Sequence, residues 1–452
     1  MIKHWLKFFA LNILTFTIIL SCTSCASTVL LSKRGSYLRS YQTGNFEQAE
    51  YDLDLIVDKE IPERQYTQSK NASWILLDRA TTRFAMGKTE EAVQDYAAAM
   101  ESLDYYGQDL PTERAAQIML QDETGAYQAD DFEQMLARVY FALALLHQGD
   151  ESNAYAILRQ VEEYQQEKLS IYEKVPFTKH YRIPTNGLSK YLFAALLEKR
   201  GDKTNANILY NEADSLNPSN ESSDVCTCKK ENQATILVLC HNGNAPYKIS
   251  ATSCGSVASA VALEVILATN RIDPAISTMT GIPVPALQQW PNSSPSPTYV
   301  SINGRNKPVL PFYSVTVAAI NELNQKMPVI VARGAARLLM RRAAVGYLDN
   351  QDRSLGILAD ITMCVINSNT RADTRSWTTL PAYIDLARFN VDSGTHDISI
   401  QVYDRGPNPI TQNYKLNVNS NDLCIVHVFN IHPGVTQVLI PGRFLVNQGD
   451  SL

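Results

Sequence analysis

The stretch Gly87-Lys88-Thr89-Glu90-Glu91-Ala92-Val93-Gln94-Asp95-Tyr96-Ala97-Ala98-Ala99 decides the fold of the first half of the chain, because its spacing recurs. A glycine is followed by alanine five residues later, by a large residue four further on, and by a small or apolar residue three beyond that. The four instances are Gly44-Ala49-Leu53-Ile56, Gly87-Ala92-Tyr96-Ala99, Gly149-Ala154-Leu158-Val161 and Gly201-Ala206-Tyr210-Ala213. Glycine permits a tight turn between two antiparallel helices, and alanine lets the second helix approach the first.

Helical apolar patterns precede these glycines, for example Trp74, Leu77 and Phe84 before Gly87, and they supply the partner helices. The pattern resembles the second half of a tetratricopeptide repeat. The glycines are spaced more widely than the about 34 residues of a tandem array, so insertions lie between the units. Residues 35–218 are therefore predicted to form a tetratricopeptide-like α-solenoid. An ordinary helical bundle with glycine turns is the alternative, and both are all-α.

The N-terminus has the pattern of a bacterial lipoprotein signal peptide. Lys3 and Lys7 precede the largely apolar run Phe8–Leu20, and Ile19-Leu20-Ser21-Cys22 resembles a lipobox. Residues 1–21 are predicted to be removed, with Cys22 carrying the lipid and residues 22–34 forming a tether. An uncleaved anchor is the alternative, although the run is shorter than the about 20 residues of a spanning helix. Cys25 is a weaker lipid acceptor, since no branched aliphatic residue opens its own box.

Composition and charge limit the classes of function. The chain has 452 residues, 45% of them hydrophobic, which suits two or three packed domains. Its net charge of −6 becomes −8 once Lys3 and Lys7 leave with the leader, and this balance argues against nucleic acid as a partner. Lipid anchoring predicts a membrane-bound protein. Thr23, rather than Asp, follows the lipid site, and by resemblance to enterobacterial sorting this favours the outer membrane.

The composition changes after a polar linker at residues 219–233. Short β-branched segments then alternate with turn residues, and they predict strands at 235–240, 298–302, 361–366, 384–391, 397–402, 423–429 and 436–440. Helices are expected at residues 256–268, 314–327 and 329–347. Residues 234–452 are therefore predicted to be an α+β domain whose later part is an antiparallel sheet or a small sandwich. The whole chain is then α followed by α+β.

Cysteines flank the start of this second half. Cys226, Cys228, Cys240 and His241 are a conceivable zinc set, although the C-x-C spacing is tighter than in structural zinc sites. A disulfide between Cys240 and a linker cysteine is a competing interpretation, because an exported protein meets oxidising conditions. Free or buried thiols are the third alternative. We expect no metal and no cofactor.

The segment Ala372-Asp373-Thr374-Arg375-Ser376-Trp377-Thr378-Thr379-Leu380-Pro381 carries a resemblance to a family of bacterial envelope lipoproteins that join tetratricopeptide-like helices to a β-rich domain. His241–Lys248 and the basic helix with Arg333, Arg337 and Arg341 add to it. So do Ala387-Arg388, where the family has an arginine in a strand, and Gly394-Thr395-His396, where it has a Gly-x-His turn into the next strand. The family resemblance implies no catalytic residue. Where the family has a helix rich in alanine and lysine, this chain has Val345–Leu348, a departure from the pattern.

Asp373, Arg375 and Trp377 are the candidate cluster of this segment. As a ligand rim, Arg375 would hold an anionic group while Trp377 stacks against a ring. As a structural corner, Asp373 and Arg375 would pair and Trp377 would anchor the sheet. The structural interpretation is the favoured one.

Arg333, Arg337 and Arg341 recur every four residues and so share one side of a predicted helix, with Arg342 beside them. Such a strip is a candidate contact for lipid head groups or an anionic cell-wall polymer. A solvated helix face is the simpler interpretation.

Enzyme signatures are sparse. The sequence contains no G-x-S-x-G, H-E-x-x-H, Walker or G-x-G-x-x-G motif. The best candidate nucleophile is Cys254, which precedes a predicted helix. Its thiol would need a histidine as base, and the candidates are His241, His396, His427 and His432. We therefore expect a non-catalytic, lipid-anchored envelope scaffold that binds protein partners through its helices. The alternative is a C-terminal ligand-binding or hydrolytic module acting on cell-wall or carbohydrate material.

Overall fold

The computed structural model describes most of the chain beyond its N-terminus. The described residues are 34–107, 125–174, 181–182, 185–216, 228–230, 232–252, 282–291, 296–353, 356–357, 359, 370–403 and 408–446. The leader, Cys22, Cys226 and Cys254 lie outside these ranges, as do the predicted helix at 256–268 and the predicted strand at 361–366.

The first half is helical, as predicted. Its helices are α1 (residues 34–42), α2 (Phe46–Glu60), α3 (Ala72–Ala85), α4 (Thr89–Gly107), α5 (Asp131–Gln148), α6 (Glu151–Lys174), α7 (Gly187–Lys199) and α8 (Lys203–Ser215). They form four hairpins, and each hairpin contacts the next through α2 with α3, α4 with α5, and α6 with α7.

Each predicted turn glycine lies between the two helices of a hairpin and has a positive φ. The φ angles of Gly44, Gly87, Gly149 and Gly201 are 76°, 80°, 95° and 87°. A side chain is strained in this left-handed region, which explains the glycine at each turn. The four alanines of the pattern, Ala49, Ala92, Ala154 and Ala206, are fully buried. The sequence pattern therefore identified the four helix-to-helix turns and the alanine contacts.

The second half is rich in strands. They are β1 (Gln233–Asn242), β2 (Tyr247–Thr252), β3 (Pro283–Gln288), β4 (Thr298–Ile302), β5 (Arg305–Pro308), β6 (Leu310–Ser314), β7 (Tyr383–Asp392), β8 (Gly394–Val402), β9 (Ile410–Val418), β10 (Leu423–His432) and β11 (Val435–Leu439). The described strands form a five-stranded sheet in the order β11-β10-β1-β7-β6, a four-stranded sheet in the order β5-β4-β8-β9, and the two-stranded antiparallel sheet β2-β3.

The five-stranded sheet is mixed rather than antiparallel throughout. β1 pairs with β10 in parallel and with β7 in antiparallel orientation. Parallel neighbours need a long connection, and here nearly the whole second half of the chain separates the two strands. The central strands are buried on both faces, as their almost continuous apolar sequences require. Sequence reasoning found these strands but did not find their pairing.

The molecule is layered. One face of the five-stranded sheet, including Leu237, Leu239 and Phe429, shares a hydrophobic core with the helices. The opposite face, including Ile236 and Val238, packs on the inner face of the four-stranded sheet. The two sheets therefore form a sandwich, and the helices cover its outer side.

Within each of the last three hairpins, the first helix lies deeper than the second. Of the 18 residues of α5, 15 are buried, against 4 of the 24 residues of α6. Of the 13 residues of α7, 11 are buried, against 3 of 13 in α8. The first helices are thus enclosed between the second helices and the five-stranded sheet.

A single long helix, α9 (Val315–Gln351), replaces the two helices that were predicted there. Ser314 caps its N-terminus by accepting a hydrogen bond from the Val317 amide. Pro328 lies inside the helix and gave the false break, because proline often ends a helical pattern. Within the part of the chain that the structure describes, no helix has the length and apolar character needed to cross a membrane.

Candidate functional site

Polar residues converge where the helices meet the five-stranded sheet, around an extended segment at residues 372–382, which we call the junction segment. Helix side chains bind its main chain. Arg34 donates to the Thr374 carbonyl at 2.8 Å, Tyr41 donates to the Thr379 carbonyl at 3.1 Å, and Glu133 accepts from the Trp377 amide at 2.8 Å. The helices therefore hold this segment much as a receptor holds an extended peptide.

Asp78 on α3 is the centre of these contacts. Its carboxylate accepts from the amide and the hydroxyl of both Thr378 and Thr379, at 2.8–2.9 Å. It also accepts from the Tyr37 hydroxyl at 2.6 Å. Asp78 is fully buried, and burial raises the pKa of its carboxyl group, although the donors act in the opposite direction. One helix carboxylate thus fixes two consecutive residues of the junction segment.

The candidate cluster of Asp373, Arg375 and Trp377 has the geometry of the structural corner, in which Asp373 pairs with Arg375. The Arg375 guanidinium binds both carboxylate oxygens of Asp373, at 2.9 and 2.6 Å. Arg375 also donates to the Asn71 side chain and to the Gly125 carbonyl, both at 3.1 Å. Arg375 is 6% exposed and its guanidinium already has these partners, so the arrangement favours the structural corner over the ligand rim.

Trp377 anchors the corner on the helices rather than on the sheet alone. It is 2% exposed, and its indole N–H donates to Thr81 on α3 at 3.0 Å and to Thr379 at 3.1 Å. Its ring packs edge-on against Tyr140 and Tyr96, at centroid distances of 5.5 and 6.3 Å. The indole therefore packs in the core instead of stacking on a ligand.

Buried charges surround the N-terminus of α5, next to the junction segment. Glu322 on α9 accepts from the amides of Asp131 and Phe132, at 2.6 and 2.9 Å, where the helix dipole favours a carboxylate. Asp130 pairs with Lys248 at 2.7 Å. Burial raises the pKa of Glu322 to about 7 despite the neighbouring Lys326. These contacts connect α5 to both α9 and β2.

A second buried ion pair connects the sheet to the last hairpin. Arg388 on β7 binds Glu198 on α7 at 2.7 Å, and their side chains are 1% and 2% exposed. Arg388 also donates to the Tyr210 hydroxyl at 2.7 Å, and Tyr210 donates to Glu198 at 2.8 Å. The strand arginine of the family resemblance therefore contacts the helices. His396, from the same resemblance, bonds to Asn303 at 2.7 Å.

Two histidines lie between the helices and the sheet. The Tyr140 hydroxyl lies 2.8 Å from Nδ1 of His241, and Nε2 of His241 lies 3.1 Å from Nδ1 of His427. His427 packs edge-on against Phe84 at a centroid distance of 4.9 Å. Burial lowers the pKa of His241 to about 3 and that of His427 well below its usual value, so both rings are neutral near pH 7. Both are too buried to serve as the base for an external substrate.

The structure does not support the zinc set or the disulfide for Cys240. Consecutive residues of β1 point to opposite faces, so Cys240 lies in the core between the sheets while His241 faces the helices. Cys228 and Cys240 are both free thiols. Among the described residues, no group of three or more histidine, cysteine, aspartate or glutamate side chains is placed to hold a metal ion.

The arginine strip is not a continuous exposed surface. Arg333 is exposed, but Arg337 and Arg341 are only 3% and 7% exposed. Four-residue spacing places side chains on one side of a helix without saying which side faces solvent. The expectation of a solvated face or of a contact with anionic surfaces therefore does not hold for Arg337 and Arg341.

His147, whose ring lies 6.1 Å from that of His427, is expected to make the stability of the protein pH-dependent. Burial, with Arg443 nearby, lowers the pKa of His147 to about 4, against about 6.5 in an unfolded chain. The neutral ring therefore contributes stability above pH 6.5, and that stability is lost as the pH falls towards 4. His147→Phe removes this titration, and Nδ1 of His147 has no hydrogen-bond partner among the described residues. Between pH 7.5 and pH 5, wild type should lose about 2 kcal/mol more unfolding free energy than this variant.

Urea unfolding at the two pH values measures that difference. Burial raises the pKa of Asp385 to about 6, so that carboxyl opposes the histidine trend, but it is common to both proteins and cancels. His432→Phe, at an exposed histidine, is the matched control. Equal acid sensitivity of wild type and His147→Phe would contradict the assignment.

Sequence patterns did not predict the helix residues that bind the junction segment and the sheet. Asp78, Glu133 and Glu198 are acidic residues in helical segments, where a solvated position is the usual expectation. Asp78 falls on the apolar side of α3, between Leu77 and Ala80, and this is the one signal that pointed to its burial.

Comparison with protein-family models, with curated proteins and with solved structures found no match for this chain.

Proposed function

We propose that this chain is a lipid-anchored, non-catalytic scaffold of the bacterial cell envelope that binds protein partners through tetratricopeptide-like helices. The proposed anchor is a lipid on Cys22, and the proposed location is the outer membrane, on the periplasmic side. The repeated glycine turns and buried alanines support the tetratricopeptide-like interpretation of the hairpins.

The main support for a partner surface is that the first helix lies deeper than the second in each of the last three hairpins. In a solenoid, the surface built by successive helices usually holds the partner. Here the first helices are covered by the chain's own sheet and junction segment, so we place the partner on the second helices. Each of these helices has at least one exposed large apolar residue, namely Tyr51 and Leu55 on α2, Tyr105 on α4, Ile171 on α6 and Ile208 on α8.

The use of the polar residues also favours a scaffold. Asp78, Arg375, Arg388 and His241 are the residue types from which a catalytic site would be built, and each of them contacts both the helical half and the strand-rich half of the molecule. Their role is then to set the position of the helices on the sheet.

Capture of partners from intact envelopes tests the proposal. Tyr51 and Leu55 are 59% and 49% exposed and lie one turn apart on α2. In the full-length protein, Tyr51→Ser combined with Leu55→Ser should reduce the crosslinked partners at least severalfold without changing the unfolding midpoint. Tyr347→Ser, at a 66% exposed tyrosine on α9, is the matched control and should leave capture unchanged.

Cys22→Ala serves as the anchor arm of the same experiment, since it should stay unprocessed, leave the membrane and lose the envelope partners. Recovery of the same partners in equal amounts by the Tyr51 and Leu55 double variant would contradict the proposed surface. Capture by a soluble Cys22→Ala protein would contradict the anchored location.

A further inference from the structure

The outer face of the four-stranded sheet lies opposite the sandwich core. Along β4, Val300 and Ile302 point into the core, so Tyr299 and Ser301 point outwards. The same alternation on β8 and β9 turns Ser399, Gln401, Thr411 and Asn413 outwards. Opposed residues in a sheet share a face, which makes the outer surface a set of cross-strand rows.

Two neighbouring rows cross the sheet. The first row is Asn306, Ser301, Ser399 and Asn413. The second row is Pro308, Tyr299, Gln401 and Thr411. At about 4.8 Å between strands, each row spans about 14 Å, the scale of a short oligosaccharide.

The rows are uncharged but rich in hydrogen-bonding groups. Hydroxyl and amide side chains offer both donors and acceptors. Within the described part of the chain, none of the outward side chains Ser301, Asn306, Ser399, Gln401 and Asn413 makes a hydrogen bond to another residue. Their hydrogen-bonding groups are therefore available to a ligand, unlike those of Asp78, Arg375 and Arg388, which bind other residues of the chain.

An aromatic groove lies at Tyr299 of the second row. Tyr299 and Tyr403 pack edge to face at a centroid distance of 5.5 Å and are 36% and 37% exposed. With Pro297 and Asn306 they line an open groove of about 610 Å³, a volume that includes open solvent. Half-exposed tyrosine rings offer an apolar surface for the C–H face of a sugar and a hydroxyl for its polar edge.

From these observations we infer that the outer face of the four-stranded sheet binds a neutral glycan chain, with Tyr299 and Tyr403 contacting one sugar ring and the hydroxyl and amide rows bonding to its neighbours. A small number of placed polar groups beside aromatic side chains is the usual composition of such a ligand site. The site is separate from the proposed partner surface on the second helices, and neither depends on the other.

Charge favours a neutral glycan over an acidic polymer or a charged peptide. The two rows contain no charged side chain. Arg305 and Lys307 flank Asn306 on β5, but the alternation of side chains along a strand turns both of them to the opposite face, where Lys307 lies over the Phe389 ring. On the outer face, the next pair along β8 and β9 is Asp397 with Lys415, whose side chains lie 3.8 Å apart and carry opposite charges. An acidic polymer would therefore find no cation in either row to offset its charge.

Calorimetric titration of the full-length mature protein with linear neutral hexasaccharides of glucose and of N-acetylglucosamine tests the inference, with a hexamer of galacturonic acid as the acidic comparison. At least one neutral hexasaccharide should bind. Tyr299→Ala and Tyr403→Ala should each weaken that binding at least tenfold, and Ser399→Ala or Asn413→Ala severalfold. Tyr347→Ala, at an exposed tyrosine far from these rows in sequence, is the matched control.

Three results would overturn the inference. They are no binding by any neutral hexasaccharide at millimolar concentration, tighter binding of the acidic hexamer, and tyrosine variants that bind as wild type does. A concentration-dependent dimer that the tyrosine variants abolish would instead make this face a contact between two copies of the chain. Sedimentation equilibrium without glycan distinguishes that outcome. All of these outcomes leave the proposed partner surface untouched.

Discussion

Asp78→Asn is expected to lower the free energy of unfolding by about 3 kcal/mol or more, because it disturbs five hydrogen bonds at one buried carboxylate. The amide oxygen can keep some of the acceptor positions. The amide NH₂ group, however, then faces donors from the junction segment, and a buried donor without an acceptor costs about 1–3 kcal/mol. Urea unfolding followed by circular dichroism measures the loss.

Asp58→Asn is the matched control, since Asp58 is an exposed carboxylate on α2 and should tolerate the change. If Asp78→Asn fails to fold, Thr378→Val and Thr379→Val remove one hydroxyl donor each and should cost about 1 kcal/mol apiece. A loss below about 1 kcal/mol for Asp78→Asn would show that this carboxylate does not hold the junction segment.

Glu198→Leu is expected to cost about 3–5 kcal/mol, because it leaves the Arg388 guanidinium buried without its carboxylate. Arg388→Met added to Glu198→Leu should restore most of that loss, since replacing both members of a buried ion pair by apolar residues is often close to neutral. The non-additivity of the double-mutant cycle, measured by urea unfolding, is the decisive quantity.

The exposed pair of Arg159 and Glu163 on α6 provides the comparison. Its two side chains are 65% and 58% exposed, and Glu163→Leu should change stability only slightly. Additive effects in the Glu198 and Arg388 cycle would contradict a direct interaction between β7 and α7.

Local pattern was enough to predict the helical character of residues 35–218 and six of the eleven described strands, whereas β2, β3, β5, β6 and β9 were missed. The offsets from Gly87 to Ala92 and Tyr96 fix a turn and a helix contact within a few residues of each other, and such short-range geometry is encoded locally. β-Branched segments likewise marked β1, β7, β8 and β10. The break at Pro328 was wrong because a long helix can continue through one proline, and the sequence around it does not distinguish the two cases.

Long-range pairing was beyond the sequence patterns. β1 and β10 are far apart in the chain, and no local signal says that they pair in parallel. The same holds for Asp78 with Thr378 and for Glu198 with Arg388. The position of Asp78 on the apolar side of α3 indicates burial but no partner, and Glu198 and Arg388 are residue types that usually lie at the surface. The corner formed by Asp373 and Arg375 was predictable because the two residues lie close together in sequence.

The polar rows on the outer face of the four-stranded sheet could be identified only from the pairing register of its strands. Serine, asparagine and glutamine in strands read individually as solvent-facing residues. Only the pairing of β5, β4, β8 and β9 places them side by side. Function on this face is therefore a property of the sheet rather than of any sequence motif.

We propose that the helices and the five-stranded sheet form one cooperative unit, which leaves the second helices as the surface for partners. Native-state hydrogen exchange of wild type and Asp78→Asn, followed by mass spectrometry, tests this most directly. We predict that α3 and β10 lose protection by the same free energy in the variant, because they belong to one core. Loss of protection confined to α3 and the junction segment, with β10 unchanged, would contradict the claim.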